Sequence, residues 1–399
     1  MKLNILFVDD DENILASFRS MLHAMRKVWT CQFASSAEEG LRKIRAAPFD
    51  VVVADMRMPH MDGIEMLEIV ERESPDTVRI ILSGYSERQS LLNSTKYAHQ
   101  FLTKPCSSSC LVDVIRRVVR LRHILTEKKV RAAVTRIGTL PALPEMFLQI
   151  TEELNNVEPD LKRIGALARR DPGISATLLK VVNSSFFGFY ETVSDPSRAA
   201  VLLGTEILKG LVLGVNFLRQ LDADTLDGYS VEKLWGHSLQ VGYYAKTIAA
   251  MESKDSVFVD NCFVAGLLHD IGKLVFVTSM SDLYAKVLSL VRSEGGPVVG
   301  AEGKALGTTH AEIGAYLMAL WGFDEAVVEG IYCHHAVRKC DGGLSVGHIV
   351  HVANVLQHEL APQQSAYAFS KMDMDGLEAI GLSERIDAWR ERCIEYTGD

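Results

Sequence analysis

The sequence begins with LNILFVDD at residues 3–10, and three further apolar runs follow: VVVAD at 51–55, IILS at 80–83 and FLTKP at 101–105. Continuous apolar runs of this length are typical of parallel strands that are buried on both faces of a sheet. In an open α/β sheet the carboxyl ends of the strands meet at one edge, where ligands bind. The polar residues that end these runs should therefore lie close together. They are Asp9, Asp10, Asp55, Ser83 and Lys104.

This set of side chains predicts phosphoryl chemistry on an aspartate. Three neighbouring carboxylates repel one another unless a divalent cation binds among them, and Mg²⁺ prefers such oxygen ligands. An amine next to them would meet a further negative group that enters the site. A phosphoryl group, which carries a charge of about −1.5 to −2 near neutral pH, fits that description.

Composition limits the remaining function classes. The chain has 399 residues, 48% of them hydrophobic and 23% charged, which is enough for two or three domains with buried cores. The formal net charge of −9 argues against nucleic acid as a partner, because phosphate binding needs concentrated positive charge.

Localisation signals favour the cytoplasm. Seven cysteines without a CxxC pair fit reduced thiols. The start, MKLNILFVDDDEN, has too short an apolar stretch for a signal peptide. No apolar stretch reaches the roughly 18 residues needed to cross a bilayer, so we expect no membrane contact.

The pattern changes along the chain. Residues 1–122 alternate strands with helices, which predicts a doubly wound, five-stranded parallel sheet of the flavodoxin type. Residues 123–137 predict a helical linker, 138–358 an all-α domain and 359–399 a helical tail.

The predicted helices have these bounds. In the first domain they span 12–27, 36–46, 62–74, 86–96 and 107–122. In the second they span 144–156, 160–170, 172–184, 196–220, 231–251, 257–277, 281–294, 310–320, 324–335 and 345–359.

The first domain resembles the receiver domain of two-component response regulators, since its five polar positions follow the strands in the order and spacing of that family. The resemblance implies that Asp55 is the phosphoacceptor and that Mg²⁺ binds Asp10, Asp55 and the backbone carbonyl of Arg57, with Asp9 acting through water. It also implies that Ser83 and Lys104 bind phosphoryl oxygens and that Phe101 is the switch aromatic. A sensor histidine kinase, or a phosphotransfer protein, would be the partner.

A second constellation lies in the all-α region. In order it comprises His237, His269-Asp270, His310 and His334-His335. Imidazole and carboxylate ligands together suit Fe, Mn, Zn or Ni better than Mg²⁺. Two such ions could activate a water for attack on a phosphodiester, and Lys273 could bind a substrate phosphate.

Residues of about 138–335 resemble the HDOD domain, an output domain related to the HD phosphohydrolases. The resemblance is carried by six stretches: LPALPEMF, RRDPGISATLLKVVNSSFFG, AVLLGTEILKGLVL, LWGHSLQVGYYAKTIA, FVAGLLHDIGKLVF and THAEIGAYLMALWGF. Many HDOD domains lack the catalytic residues and act through protein contacts, whereas this chain keeps the HD pair and the other histidines.

Two departures argue against catalysis. The segment HHAVRKCDGGLSVG lacks the GYP motif of the cyclic di-GMP phosphodiesterases, and Asn354 replaces a late carboxylate for which His351 could substitute. We therefore expect a response regulator in which phosphorylated Asp55 controls an HDOD domain that binds downstream signalling proteins, with no enzymatic activity beyond phosphotransfer and autodephosphorylation. A homodimer is compatible with this prediction. The alternative is a phosphorylation-gated, metal-dependent phosphohydrolase acting on a nucleotide or cyclic dinucleotide.

Overall fold

The computed structural model divides into two compact units. One comprises Met1–Leu140 with Ala319–Glu325, and the other comprises Pro141–Met318 with Ala326–Asp399. The residues that the structure describes are 2–83, 97–98, 100–104, 108–120, 130, 149–150, 153, 160–184, 187, 192–219, 231–335, 343–360 and 371–395.

The N-terminal unit contains the predicted parallel sheet flanked by helices. Its strands are β1 (Leu3–Val8), β2 (Trp29–Ala34), β3 (Val51–Asp55), β4 (Val78–Ser83) and β5 (Gln100–Thr103), in the order β2-β1-β3-β4-β5. Every residue of β3 and β4 is buried, whereas the edge strand β2 alternates. Central strands covered on both faces account for the continuous apolar runs of the sequence, and the doubly wound fold is confirmed.

Four described helices surround the sheet: α1 (Glu12–Met21), α2 (Ala37–Ala46), α3 (Gly63–Glu73) and α4 (Ser108–Arg120). Polar side chains cap the N-termini of the first three helices. Asp11 and Ser36 cap α1 and α2, and Asp62 forms a capping box with Glu65 at α3. The predicted helix at 86–96 and the linker at 123–137, apart from Val130, lie outside the described residues.

The C-terminal unit is helical, and the all-α prediction is confirmed. Its described helices are α5 (Leu161–Arg169), α6 (Pro172–Val182), α7 (Pro196–Leu203), α8 (Thr205–Arg219), α9 (Val231–Glu252), α10 (Ser256–Leu268), α11 (Ile271–Ser279), α12 (Ser281–Glu294), α13 (Val298–Leu306), α14 (His310–Leu320), α15 (Glu325–Cys333), α16 (Val346–Leu360), α17 (Met374–Ala379) and α18 (Ile386–Ile394).

Two helix predictions for this unit are wrong in detail, and one helix was missed. The predicted helix 196–220 is two helices, because Gly204 adopts a φ of 79° between α7 and α8. The predicted helix 257–277 is also two, because the backbone leaves helical geometry at Asp270, where φ is −97° and ψ is 7°. Helix α13 was not predicted, since its sequence VVGAEGKAL contains two glycines and little polar contrast.

The segment after residue 359 is part of the C-terminal unit. Helix α18 packs against α9 and α16, and the side chain of Trp389 is completely buried. Its Nε1 donates a hydrogen bond of 2.8 Å to Glu252 Oε1 on α9, which also accepts one of 3.0 Å from Arg385 Nε. The last helices therefore close the helical core instead of extending into solvent.

One helical run among the described residues is long and apolar enough to cross a membrane. It spans Ser256–Ser279, but 83% of its most apolar window is buried inside the protein. The run also contains His269 and Asp270, where α10 ends and α11 begins. Such burial is typical of the core helices of a globular domain.

Trp389 provides a test of this packing. We expect Trp389→Ala to lower the free energy of unfolding of the C-terminal unit by about 3–5 kcal/mol, because it leaves a cavity in the core and removes one of the hydrogen bonds to the Glu252 carboxylate. Ile394→Ala on the same helix is the control, since Ile394 is 49% exposed. Urea unfolding followed by circular dichroism measures both, and equal effects of the two variants would contradict the packing.

Candidate functional site

The first candidate site lies at the carboxyl ends of four strands. Asp9 follows β1, Asp55 and Ser83 end β3 and β4, and Lys104 follows β5. The parallel register places Asp55 opposite Leu82 and Ser83 opposite Thr103. The backbone N–H of Lys104 also donates to the carbonyl of Ser83 at 2.8 Å, which ties the ends of β4 and β5 together. The sheet thus brings these side chains to one edge.

Lys104 joins two of the carboxylates. Its Nζ lies 2.7 Å from Asp9 Oδ2 and also contacts Asp55 Oδ1, while Asp55 Oδ2 accepts a hydrogen bond of 3.1 Å from the Arg57 N–H. Burial raises the pKa of Asp55, and the contact with Lys104 only partly offsets that rise. Burial would lower the pKa of Lys104, but the two carboxylates outweigh it and raise this pKa. Lys104 is therefore a cation at neutral pH.

The carboxylates fit a magnesium ion. Asp9, Asp10 and Asp55 each offer an oxygen, and these oxygens lie within 4.8 Å of one another. Hard oxygen donors of this kind suit Mg²⁺, which keeps several waters when it binds. Ser83 is fully buried, and its Oγ has no hydrogen-bond partner in the part of the chain that the structure describes. A buried hydroxyl without a partner is a group that a phosphoryl oxygen would satisfy.

Phe101 lies on β5, in register with Ile81 of β4. Its side chain is outside the described part of the structure, as is the segment 84–96. The role of Phe101 as a switch aromatic stays a prediction.

The second candidate site lies inside the C-terminal unit and brings together side chains on two helices and side chains next to the ends of three others. His237 lies on α9, His269 and Asp270 between α10 and α11, His310 at the start of α14, and His334 and His335 just after α15. Ligand atoms within 4.8 Å of one another define two groups, His237–His269–Asp270 and His310–His334–His335. Asp270 connects the groups, because its Oδ1 lies 3.2 Å from His310 Nε2.

Glycines allow the backbones at this site to approach one another. A Cβ on Gly266 of α10 would lie 2.9 Å from the Cα of Gly242 on α9, so only small residues permit this crossing. The crossing lies just before His269 and brings it close to His237. A Cβ on Gly272 would lie 2.0 Å from the carbonyl oxygen of His310, so glycine is also required where α11 meets α14.

The ring orientations are set by hydrogen bonds at Nδ1. The acceptors are Gln357 Oε1 for His237 (2.6 Å), Gly266 O for His269 (2.7 Å), Glu302 Oε2 for His310 (2.6 Å) and Ile331 O for His334 (2.7 Å). Carbonyl and carboxylate oxygens only accept, so each Nδ1 carries the proton. In the neutral ring the lone pair is then on Nε2. Metal-binding histidines commonly have such acceptors behind them.

The Nε2 atoms face one another. His237 Nε2 lies 3.3 Å from His269 Nε2, and His310 Nε2 lies 3.3 Å from that of His334 and 3.0 Å from that of His335. Lone pairs at these distances repel, whereas two nitrogens bound to one zinc ion at about 2.0–2.1 Å are about 3.3 Å apart in a tetrahedral site. The donor set therefore fits divalent transition metals.

Protonation states agree with metal binding. Burial lowers the pKa of His269 to about 3 and lowers the pKa of His237 and of His334. His310 differs: burial would lower its pKa as well, but the Glu302 and Asp270 carboxylates together outweigh burial and raise this pKa. Burial alone would raise the pKa of Asp270, but His269 and Lys273 outweigh it and hold this pKa well below its usual range.

Lys273 pairs with Asp270 in this structure. Its Nζ donates to Asp270 Oδ2 at 2.7 Å, and its side chain is 19% exposed. Asp270 Oδ1 has no hydrogen bond within the described structure, and its nearest basic group is His310 Nε2 at 3.2 Å. The Lys273 amine thus pairs with the Asp270 carboxylate, and its side chain is partly exposed to solvent at the edge of the cluster.

Sequence analysis missed several residues that surround the cluster. Glu302 lies on the unpredicted helix α13. Gln357 and His358 lie on α16, and the ring of His358 stacks on that of His237 with centroids 4.6 Å apart. The sequence did contain a signal for the residues on α16. Polar residues recur at helical spacing on its buried face, at positions 351, 354 and 357–358, as expected for a helix that faces a polar site.

Asn354 and His351, the two residues considered for the position of the late carboxylate ligand, have different environments. Asn354 is 4% exposed, and its Oδ1 has no hydrogen-bond partner among the described residues. His351 uses both ring nitrogens elsewhere: Nδ1 donates to the His334 carbonyl at 2.9 Å, and Nε2 accepts from the Asp373 N–H at 3.0 Å. His351 therefore supports the backbone of His334 and does not substitute for a carboxylate ligand.

Two protein families match this chain. The response regulator receiver domain matches residues 5–116, and the HDOD domain matches residues 140–337. Both sites described above lie within these segments, except for the α16 residues.

Similar proteins give the same division. An uncharacterized protein of Treponema pallidum is 29% identical over 210 residues, which cover 53% of this chain and 40% of that protein. The hydrogenase transcriptional regulatory protein HoxA of Cupriavidus necator is 32% identical over 122 residues, which cover 30% of this chain and 25% of HoxA. The matches thus span less than half the length of these two curated relatives.

The crystal structure of a putative phosphohydrolase from Shewanella amazonensis SB2B matches 67% of this chain and 94% of that one, with a TM-score of 0.51 and 22% identity. At this identity the likeness shows the fold alone.

The buried imidazoles predict a stability that depends on pH. His237, His269 and His334 have a folded-state pKa below the unfolded value of about 6.5, so the unfolded chain binds more protons below that pH. Their contribution is present above pH 6.5 and is lost as the pH falls toward 3. His310 has the opposite effect, because its raised pKa means that the folded chain binds this one proton more tightly than the unfolded chain does.

We expect the C-terminal unit, freed of metal by a chelator, to lose about 1.4 kcal/mol per pH unit for each net proton between pH 6.5 and 5. Urea unfolding at several pH values, followed by circular dichroism at 222 nm, measures this, because all of the described helices from α5 to α13 and from α16 to α18 lie in this unit. Stability that is constant or rises over this interval would contradict the buried neutral rings.

Proposed function

Because this chain belongs to the response regulators that join a receiver domain to an HDOD output domain, we propose that phosphorylation of Asp55 controls a metal-dependent phosphohydrolase centre around Asp270. The family implies a histidine kinase or a phosphotransfer protein as the phosphoryl donor. The observation that carries the output function is the set of imidazoles whose Nδ1 atoms are held by acceptors while their Nε2 atoms converge.

Asp55 is the proposed nucleophile of the receiver domain. One of its oxygens attacks the phosphorus of a phosphohistidine, the P–N bond breaks, and the histidine nitrogen takes up a proton. Lys104 already contacts this carboxylate and can pair with a phosphoryl oxygen, while the Ser83 hydroxyl can donate to another. Bound Mg²⁺ would neutralise part of the phosphoryl charge.

The charge change in the receiver domain is the proposed signal. Before phosphorylation, Lys104 is shared between Asp9 and Asp55. A phosphoryl group on Asp55 adds about −1.5 to −2 of charge and competes for both Lys104 and Ser83, which anchor the ends of β5 and β4.

The output domain holds the proposed hydrolytic centre. The candidate ligands are His237, His269, Asp270, His310, His334 and His335. Nitrogen and oxygen donors of this kind suit Fe, Mn, Zn or Ni, which activate water for attack on phosphate esters. Lys273, at the exposed side of Asp270, is placed to bind a phosphate of a nucleotide or cyclic dinucleotide.

Control of a protein contact is the second candidate function. The cluster is closed: all of its members except His335 are less than a tenth exposed. The cavity next to Asp270, of about 10 Å³, is lined mainly by apolar side chains such as Leu234, Trp235 and Leu274. Under this proposal the metal is structural and the surface of the output domain binds a downstream signalling protein in the cytoplasm.

Phosphorylation of Asp55 is directly testable. We expect acetyl phosphate with Mg²⁺ to label the wild-type protein and Asp55→Asn to lose the label, because an amide cannot form the acyl phosphate. Asp113→Asn is the matched control, as the Asp113 side chain is 72% exposed on α4. Labelling of Asp55→Asn at the wild-type level, measured by phosphate-affinity electrophoresis, would refute the assignment.

Metal content tests the output centre. We expect the chain to bind Mn²⁺, Fe²⁺ or Zn²⁺ by elemental analysis after saturation with the metal, and His269→Ala and His335→Ala each to bind at least one ion fewer per chain. His348→Ala is the control, because His348 is also buried but pairs with Ser345 outside the cluster. A wild-type chain that takes up no transition metal would contradict the proposal. Metal binding with no hydrolysis of cyclic dinucleotides or of nucleotides would favour the protein-contact function.

A further inference from the structure

The two halves of the histidine cluster differ in chemistry. We propose that one divalent ion binds tightly at His310, His334, His335 and Asp270 Oδ1, and that the half formed by His237 and His269 binds a second ion much more weakly. This inference rests on the proposed metal centre and adds the order in which it is filled. It assigns Glu302 and Gln357 as the positioning residues that set the difference.

The two oxygens of Asp270 are unequal. Oδ2 faces His269, at 3.4 Å from its Nε2, and is neutralised by Lys273 at 2.7 Å. Oδ1 faces His310 and makes no hydrogen bond in the described structure, although Asp270 is only 2% exposed. A buried carboxylate oxygen without a donor is costly unless a cation binds it. The negative charge of Asp270 is therefore available mainly to the half that contains His310.

The groups behind the histidines are also unequal. Glu302, which is completely buried, accepts hydrogen bonds from both the backbone N–H (2.9 Å) and the Nδ1 (2.6 Å) of His310. Tyr284 OH donates to the other oxygen of Glu302 at 3.3 Å. A carboxylate behind a metal-binding imidazole raises the basicity of its Nε2 and fixes the ring.

The other half has a neutral counterpart at the same position. His237 Nδ1 donates to the amide oxygen of Gln357 at 2.6 Å. An amide fixes the ring in the same way but supplies no negative charge. His237 also stacks on His358, with an interplanar angle of 17°, so its ring cannot tilt freely toward a partner.

Asn354 adds a third difference. It lies on the same helix as Gln357, within hydrogen-bonding reach of His237, and its buried Oδ1 has no partner in the described part of the chain. An amide oxygen is an available ligand for the weaker half, but it is neutral. The tight half thus has three imidazoles, a carboxylate oxygen and a buried carboxylate behind one of the imidazoles, that of His310. The weak half has two imidazoles, a carboxylate oxygen shielded by Lys273, and amides.

Unequal halves have a consequence for regulation. When metal is scarce, the tight ion alone would hold α11, α14 and α15 together, and the second position would fill only as metal rises. A chemistry that needs two ions would then respond to metal supply as well as to Asp55.

Cobalt titration of the full chain tests the proposal. The protein is stripped with a chelator and kept in excess Mg²⁺ to fill the receiver carboxylates, and Co²⁺ binding is followed by calorimetry and by the visible absorption of the ion. We expect two phases that differ at least tenfold in affinity. His335→Ala should remove the tight phase, and His237→Ala should remove only the weak one.

The positioning residues are tested by exchanging their charge. Glu302→Gln should weaken the tight phase by about 10–100-fold and shift its absorption spectrum. Glu302→Asp should restore part of the affinity, and Gln357→Glu should strengthen the weak phase and leave the tight one unchanged. A merely structural role of these residues would change folding, seen by circular dichroism, and would not move the two phases in opposite directions.

The outcomes separate this inference from the function on which it rests. Two equal phases, or loss of the tight phase in His237→Ala, would overturn the unequal halves and leave the metal centre intact. No Co²⁺ binding by the wild-type chain would overturn both.

Discussion

The output domain depends on one electrostatic constraint: five imidazoles, four of them buried, and a buried carboxylate lie in one place without enough N–H groups to hydrogen-bond one another. In four of the histidines the Nδ1–H donates to a backbone carbonyl, to Gln357 or to Glu302, which leaves the Nε2 lone pairs facing inward. Burial of such a set is unfavourable unless something positive neutralises it. Lys273 supplies one positive charge, at Asp270 Oδ2. A divalent ion would supply the rest, and the helices that carry these residues would be held together by it.

In the receiver domain, neighbouring carboxylates are neutralised by an amine. Asp9 and Asp55 share Lys104, which neutralises one of the charges that the strand ends bring together. The two sites differ in how accessible they are to solvent. The acids of the receiver site lie at the edge of a sheet, where Asp10 is exposed, whereas His269 and His334 are completely buried. A site that exchanges a group with a partner protein needs such an edge, while a site that keeps an ion does not.

Most strands and helices could be predicted from the sequence, because local patterns of apolar and polar residues determine them. The apolar runs that end at Asp9, Asp55 and Ser83 report the burial of single strands, and the bounds of α2, α3, α9 and α12 follow from local periodicity to within a residue or so. Contacts between distant segments could not be predicted in this way. The break at Asp270 depends on Gly272 meeting the backbone of His310, and Glu302 reaches His310 from a helix with little amphipathic pattern. The environment of Asn354 likewise depends on the packing of α16 against α9.

Helix α16 also affects how the output domain is delimited. The family match ends at residue 337, yet Gln357 positions His237 and His351 supports His334, and α18 closes the core with Trp389. The segment that sequence comparison identifies is therefore shorter than the segment that folds as one piece. A gene fusion or an expression fragment that ends at the family boundary would carry the metal-binding signature but lack the helix that orients it. Domain exchange during evolution would have to transfer the longer segment for the site to remain whole.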